Sequence, residues 1–362
     1  MLATVNHVSR CGVDGVSVAD LTKEAGVSRP TFYSHFDDID GLFAEVWLEY
    51  FPSWWQAMCD PTDSSVYQRA ETLALLQIFL IGHRSPQVDE AVMSTLPKII
   101  EDSFPDIGDR TVAMWTFANR IGLIATEGVW PKALLAVELD SYLRAVSGRV
   151  TFRRIMSAEE LSQIGPEEPA SDHEKIVLAT MSIVQKSGVN GLSISRLGRI
   201  LRVTSGFIYP RITSRDALVA EAFSYALRSA HTSNIARWQK KKLGVEGFAE
   251  FLVGGLGQPR THWRRFRAEV LIAAHSSDEL AGLVRSALED FAENVERETA
   301  KLPVPKQLVE TMTVLVHTLL FGFSAMHHAG IDVRSLAHTG VIRAMVAEIG
   351  RRVITGKPLT SV

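Results

Sequence analysis

Four side chains able to hydrogen-bond to a polyanion occur at alternate positions in the segment Gly26–Phe36, which reads GVSRPTFYSHF. They are Arg29, Thr31, Tyr33 and His35. An arginine can donate to both O6 and N7 of guanine, and hydroxyl and imidazole groups suit phosphate oxygens. The segment therefore contains residue types that contact DNA, provided that a helix presents them together.

The residues around this segment predict two short helices joined by a tight turn. Ser17 and Asp20 are spaced to cap a helix that starts at Val18. Gly26 supplies a left-handed residue to end that helix, and Ser28 caps the next one. In a helix-turn-helix the second helix enters the DNA major groove. The apolar residues expected to hold the two helices together are Val18, Leu21, Ala25, Val27 and Phe32.

The same segment occurs a second time. A shift of 176 residues aligns Cys11–Val46 with Ser187–Ala222 without a gap and gives eleven identities, among them Tyr33 with Tyr209. One copy alone is also compatible with a helical hairpin that has polar tips. The repetition favours DNA recognition, because groove-reading helices act in pairs.

Later stretches of the chain also correspond. Residues 81–92 resemble residues 273–284, and residues 121–125 resemble residues 321–325. The sequence therefore predicts a tandem duplication with two units in one chain.

The second copy differs from the first in its turn and its charge. Arg202 is one residue before Val203, as Gly26 is before Val27, and a left-handed arginine there would cost about 1–2 kcal/mol. Pro210 interrupts the second helix, which we expect to be short or bent. Several arginines give this copy a basic surface: Arg196, Arg199, Arg202, Arg211 and Arg215.

The first copy, by contrast, carries acidic residues next to its second helix. Asp37 and Asp38 would repel phosphates, and the position matching Arg215 is Ile39. These departures, together with Pro210, motivate an alternative in which the chain binds a ligand or a protein and has lost DNA recognition in one or both copies.

The composition argues against several other classes of protein. The chain has 362 residues, 46% hydrophobic and 22% charged, with a net charge of −3, as in a globular protein of two or more domains. Its two cysteines, Cys11 and Cys59, form no disulfide framework, so a cytoplasmic location is expected.

The apolar run 312–326 contains His317 and is shorter than the roughly 20 residues of a membrane span, which predicts a buried interface helix and no membrane contact. Because the sequence has no phosphate loop, HExxH motif or metal-ligand cluster, we expect no enzyme activity, metal or cofactor.

The stretch VSVADLTKEAGVSRPTFYSHFDDIDGLF resembles the DNA-binding region of the TetR (tetracycline repressor) family of bacterial transcription regulators. The resemblance rests on Gly-Val-Ser, on Tyr33 with Phe36, and on Asp40 with Leu42. It implies an all-α repressor with a helix-turn-helix domain and a helical domain that binds a small apolar or amphipathic effector. Family members are normally homodimers joined through their last two helices. The duplication then predicts a single-chain pseudo-dimer, with its two units related by pseudo-two-fold symmetry.

The resemblance also implies double-stranded operator DNA as the partner. In the first copy the expected DNA-binding residues are Ser28, Arg29, Pro30, Thr31, Tyr33 and His35. In the second copy they are Thr204, Ser205, Phe207, Tyr209, Arg211 and Arg215. Whether two such chains assemble further on one operator is left open by the sequence.

The repeat divides the chain into five predicted segments. Residues 1–47 and 173–223 form the two helix-turn-helix domains, residues 48–157 and 224–362 form the ligand-binding and pseudo-dimerisation domains, and residues 158–172 form a linker.

The last two helices of each unit are expected to pack against those of the other unit. Their predicted ranges are 110–130 with 134–156, and 306–329 with 333–355. Small residues that would permit close helix approach are Gly122, Ala125, Gly322 and Ala325.

Candidate effector-binding residues are aromatic and histidine side chains at helical spacing. In the first unit they are Trp54, Trp55, Phe79, His83, Trp115 and Phe117. In the second unit they are Trp263, Phe266, His275, His317 and Phe321. Such a pattern is more often ordinary core than a pocket, and both interpretations remain open.

Overall fold

The computed structural model describes residues 1–60, 70–104, 106–137, 171–240, 261–300 and 305–333, with a few isolated positions between them. Every regular element in these ranges is helical, which confirms the all-α expectation for the described residues. The predicted linker 158–172 and the predicted helices 134–156 and 333–355 lie mostly outside these ranges.

Several helices of the first half pack against a central apolar helix. They are α1 (Leu2–Cys11), α2 (Val18–Ala25), α3 (Arg29–Tyr33), α4 (Ile39–Cys59), α5 (Ala70–Ile81), α6 (Pro86–Ser103) and α7 (Ile107–Glu127). Helix α5 is apolar on nearly all sides, and α1 and α4 pack against it, while α4 also packs along α6. Because α4 begins in the predicted helix-turn-helix domain and continues past residue 47, that domain and the bundle share one continuous helix.

The second half follows the same order of helix contacts. Its helices are α8 (Asp172–Ser187), α9 (Ile194–Leu201), α10 (Ser205–Ile208), α11 (Arg215–Lys240), α12 (Thr261–Ala274), α13 (Asp278–Thr299) and α14 (Lys306–His328). Helix α8 packs on α12, and α11 packs against both α12 and α13. Short 3-10 turns connect several helices, including residues 82–84 and 209–211.

An aromatic cluster fills the bundle of the first half. The Trp47 and Phe51 rings stack with centroids 4.4 Å apart, and the Trp47 ring also stacks on Phe79 at 5.7 Å. Trp54 meets the Phe117 ring edge-on at 5.5 Å. These side chains are almost entirely buried, so they form the hydrophobic core that supports α4.

Helices α7 and α14 form the most extensive helix–helix contact between the two halves. A Cβ atom added to Gly122 would overlap the carbonyl of Thr318 and lie 2.8 Å from its Cα atom. A Cβ atom added to Gly322 would overlap the carbonyl of Ala118 and lie 2.7 Å from its Cα atom. Both glycines are therefore needed for the backbones to touch, which confirms the close approach predicted at these two positions.

Helix α14 is also, among the described residues, the one helix long and apolar enough to cross a membrane. Of its most apolar window, 61% is buried inside the protein. Length and composition alone are weak evidence for a membrane span, and a buried core helix meets the same criterion. The contact with α7 accounts for its apolar character.

Candidate nucleic-acid interface

The first helix-turn-helix has the caps that its sequence predicts. The Ser17 hydroxyl accepts a hydrogen bond from the Asp20 amide at 3.1 Å, and the Ser28 hydroxyl accepts one from the Thr31 amide at 3.2 Å. Gly26 adopts the left-handed conformation with φ of 68°. These local contacts define where α2 ends and where α3 begins.

Helix α3 presents its polar residues to the surface. Phe32 is buried beneath it, and the neighbouring Tyr33 ring is 57% exposed. The other residues expected to contact DNA in this copy are likewise exposed: Ser28, Arg29, Pro30, Thr31 and His35. Arginine, hydroxyl and imidazole groups on α3 and just after it are thus all open to solvent.

Two of the predicted helix-packing residues were assigned to the wrong face. Leu21 and Phe32 are buried and Val18 is partly buried, as expected, but Ala25 and Val27 are exposed. Ala25 is the last residue of α2, and Val27 lies in the turn. The turn directs both of these residues away from the contact between α2 and α3.

The second copy of the segment has the left-handed arginine and the short helix that its sequence predicts. Arg202 has φ of 57° and ψ of 41°. Among the described residues it is the only one other than glycine that has a positive φ. Helix α10 spans only Ser205–Ile208 before the chain tightens into a 3-10 turn that contains Pro210. The helix of this copy is therefore shorter than the corresponding helix α3 of the first copy.

The strained turn at Arg202 gives a testable stability effect. Replacing Arg202 by glycine should raise the free energy of unfolding by about 0.5–1 kcal/mol, because glycine avoids the left-handed penalty but gains entropy in the unfolded chain. The matched control is Arg199→Gly in the helical part of α9, which should cost about 1 kcal/mol. Urea denaturation measures both changes, and a destabilised Arg202→Gly variant would contradict the assignment of strain to this residue.

Arg211 and Arg215 of the second copy have partners within that copy. The Arg211 guanidinium lies 3.9 Å from the Phe207 ring centroid and donates to the Phe207 carbonyl at 2.7 Å. Arg215 pairs with Asp216 at 3.0 Å. Tyr209 is 62% exposed, and Thr204 and Ser205 lie at the surface before it. These contacts use only part of the five N–H donors of each guanidinium, so the remaining donors of Arg211 and Arg215 are available to a phosphate.

Asp38, which the sequence suggested would repel DNA, has a structural role. Its side chain caps α4 by accepting a hydrogen bond from the Gly41 amide at 2.8 Å, and Gln87 donates to the same carboxylate at 3.2 Å. At the matching position the Ser214 hydroxyl accepts from the Ala217 amide at 3.0 Å. The acid therefore serves as a helix cap, for which serine is an uncharged equivalent.

A buried ion-pair network connects the first head to the second half. Arg84 donates to Asp14 and to Glu269, each at 2.6 Å, and His83 lies 3.2 Å from the same Glu269 oxygen. The Glu269 side chain is fully buried. Burial raises the pKa of Asp14 although Arg84 opposes that shift. Because Asp14 belongs to the head and Glu269 to α12, the network links the position of the head to the bundle.

The candidate effector residues are dispersed through the molecule. Trp54, Trp55, Phe79 and Phe117 belong to the aromatic core, whereas Trp115 packs against Phe323 at 5.1 Å across the contact of α7 and α14. Phe266 is fully buried and Trp263 is partly buried.

The predicted histidines contribute to contacts between the halves. The His83 ring nitrogens lie 2.8 Å from the Leu80 carbonyl and 3.0 Å from the Gln185 carbonyl. His275 contacts the carbonyl of Ala125 at 3.2 Å. The His317 ring is buried with its centroid 5.3 Å from that of Trp130, and burial, followed by the charge of Arg267, lowers its pKa well below the ordinary value.

Sequence reasoning missed the basic side chains around a small cavity between the halves. Phe79, His83 and Phe321 line this cavity as candidates already named, and Arg264, Arg265, Arg267 and His328 line it as well. The available signal was the stretch WRRFR at residues 263–267, which places three arginines on a helix whose other faces are buried. In the described part of the chain, no group of three or more His, Cys, Asp or Glu residues could hold a metal ion.

The geometry of the first head is that of a helix-turn-helix DNA-binding domain. Residues 3–46 match the family described as bacterial regulatory proteins, tetR family. A comparison with curated proteins finds no match. The match covers α1 to α3 and the start of α4, and it supports a TetR-type, DNA-binding transcription regulator.

Proposed function

We propose that this chain is a cytoplasmic TetR-type repressor that carries two diverged DNA-reading heads and acts as an internal dimer. The observation that carries the proposal is the exposure of Arg29, Thr31 and Tyr33 on α3, within the segment that matches the family. The gapless second copy of this segment supports a second head at Thr204–Arg211.

The contact between α7 and α14 supports the internal dimer. Gly122 contacts Thr318, and Gly322 contacts Ala118. A shift of 200 residues relates Gly122 to Gly322 and also relates Ala118 to Thr318. In a two-fold interface residue i meets residue j and residue j meets residue i, which is the pattern that these four residues follow.

An effector would act on the distance between the two heads. DNA half-sites are read about one helical turn, 34–36 Å, or a multiple of it apart. A change of a few ångströms in the spacing of α3 and α10 would therefore remove one helix from its groove. Because α4 and α11 run from the heads into the bundles, movement in either bundle would reach a head directly.

The second candidate function is a ligand-binding or protein-binding module that has lost DNA recognition. The internal pairing of Arg211 with Phe207 and of Arg215 with Asp216 favours this for the second head. An intermediate case, in which only the first head binds DNA, follows from the same contacts. Enzyme activity remains unexpected for the chain.

Salt-dependent binding of a mixed-sequence duplex distinguishes these candidates. We expect the affinity to fall linearly on a log–log plot against salt concentration, because phosphate contacts release counterions. Arg29→Ala should weaken binding and reduce the slope by about 1. Fluorescence anisotropy with a labelled duplex gives both values.

The control for this experiment is Lys98→Ala, which removes one positive charge from an exposed position on α6. This variant should bind as the unchanged protein does. Equal losses in Lys98→Ala and Arg29→Ala would show that net charge alone drives binding. Affinity that does not respond to salt would favour the module without DNA recognition.

A further inference from the structure

We infer that a small organic anion, a carboxylate or a phosphate monoester, places its anionic group in the cavity between the two halves and serves as the effector. The role of this anion as an effector rests on the proposed function. The binding itself is a property of the cavity and is testable without DNA.

The cavity combines an apolar wall with a basic one. Phe79 and Leu80 of the first half face Phe321 of the second half, and Arg265 and Arg267 of α12 line the same space. Its volume of about 30 Å³ admits a few atoms, as a carboxylate or phosphate head group needs. The exposed carboxylate of Asp89 also lines the cavity, so the site reaches the surface where the rest of a ligand would lie.

Polar atoms in this wall are buried without a hydrogen-bond partner among the described residues. They are Nε of Arg265, Nε of Arg267 and Nε2 of His328. Buried donors without acceptors are uncommon and unfavourable in folded proteins. An anion placed between these groups would accept hydrogen bonds from all three side chains.

The electrostatics of the cavity point to the same chemistry. Burial lowers the pKa of Arg267 to about 9. Burial and then the charges of Arg265 and Arg264 lower the pKa of His328 to about 3. The nearby Glu269 is already paired with Arg84. Several arginines but a single carboxylate, that of Asp89, line the cavity, so the balance of charge favours an anion over a neutral ligand.

Arg267 is held in position to receive such a ligand. It donates to the His317 carbonyl at 3.0 Å, and its guanidinium lies 5.2 Å from the centroid of the Phe321 ring. A bound anion would join α12 and α14 of the second half to α5 of the first. Binding would therefore favour one relative position of the two halves.

Isothermal titration calorimetry of the full chain with benzoate and with phenyl phosphate tests this site. Benzamide, which has a similar shape without the charge, is the matched neutral probe. We expect both anions to bind and benzamide to bind at least about tenfold more weakly, since hydrogen bonds to charged groups are the stronger ones. Arg267→Met should weaken anion binding by about tenfold or more, whereas Lys98→Met, an exposed site on α6, should bind as the unchanged protein does.

Arg267 also donates a hydrogen bond to the His317 carbonyl, so its loss in Arg267→Met could impair folding. A second variant provides a test that does not depend on this bond. Arg265→Gln removes the neighbouring charge and should weaken anion binding in the same direction. Circular dichroism checks that each variant is folded. The inference is overturned if neither anion binds, if benzamide binds equally well, or if folded Arg265→Gln and Arg267→Met both bind as the unchanged protein does. Since DNA is absent from these titrations, a failure of DNA binding would leave their result intact.

Discussion

Gly122→Ala is expected to destabilise the protein by more than about 3 kcal/mol, above the usual range for an added methyl group in a packed core. The new Cβ atom would overlap the backbone of Thr318, which cannot rotate away as a side chain would. The helices α7 and α14 must then separate, and the packing on either side of the contact is lost with them. Gly322→Ala should have a similar effect, because its Cβ atom would overlap the backbone of Ala118.

Gly282→Ala is the matched control for these two variants. Gly282 lies within α13 on an exposed face, and nothing lies within 4 Å of an added Cβ atom. Alanine should stabilise that helix by about 0.5–1 kcal/mol. Guanidinium denaturation measures all three variants. If alanine at Gly122 or Gly322 were tolerated as well as at Gly282, the close contact of α7 with α14 would be wrong.

Combining Gly122→Ala with Gly322→Ala provides a further check. Once Gly122→Ala has separated the helices, Gly322→Ala should add less than it costs alone, because both act on one contact. Fully additive effects would mean that the two glycines act independently.

The second large effect is expected at the buried ion pairs. Arg84→Met should destabilise the protein by about 3–5 kcal/mol, because it leaves the carboxylate of Glu269 buried without its main partner. It also releases Asp14, so the contact between the first head and α12 should loosen. Thermal and urea denaturation measure the loss, and hydrogen exchange at residues 13–15 reports on the head.

The first half itself suggests the compensating substitution. A shift of 192 residues relates Glu269 to Gln77, whose side chain accepts a hydrogen bond from the Val13 amide at 3.1 Å. Glu269→Gln in the Arg84→Met background should therefore recover most of the lost stability, since no buried charge remains.

The control for Arg84→Met is a variant that breaks an ion pair at the surface. Lys306→Met breaks the pair with Glu296, which is largely exposed, and should cost less than about 1 kcal/mol. A cost at Arg84 as small as that at Lys306 would mean that the buried network does not hold the two halves together.

Local features of the heads could be predicted from the sequence because they depend on neighbouring residues. The caps at Ser17 and Ser28, the left-handed Gly26 and the left-handed Arg202 all follow from backbone chemistry within a few positions. The short α10 follows in the same way from Pro210.

Features that depend on the arrangement of distant helices could not be predicted in this way. The pairing of Arg84 with Glu269 and the cavity between the halves join residues far apart in the chain. Apolarity alone also misassigned Val27, which the turn directs toward solvent. Side-chain type indicated candidates such as Phe79 and His83, but only the packing of α12 brought Arg265 and Arg267 to them.

Selection of bound sequences from a pool of random DNA duplexes is the most direct test of the central claim, that one chain reads DNA with two diverged heads. We predict an enriched site with two unlike halves, whose centres lie about 10 base pairs or a multiple of that apart. Recovery of no enriched sequence, or of a single half-site without a second element at fixed spacing, would contradict the claim.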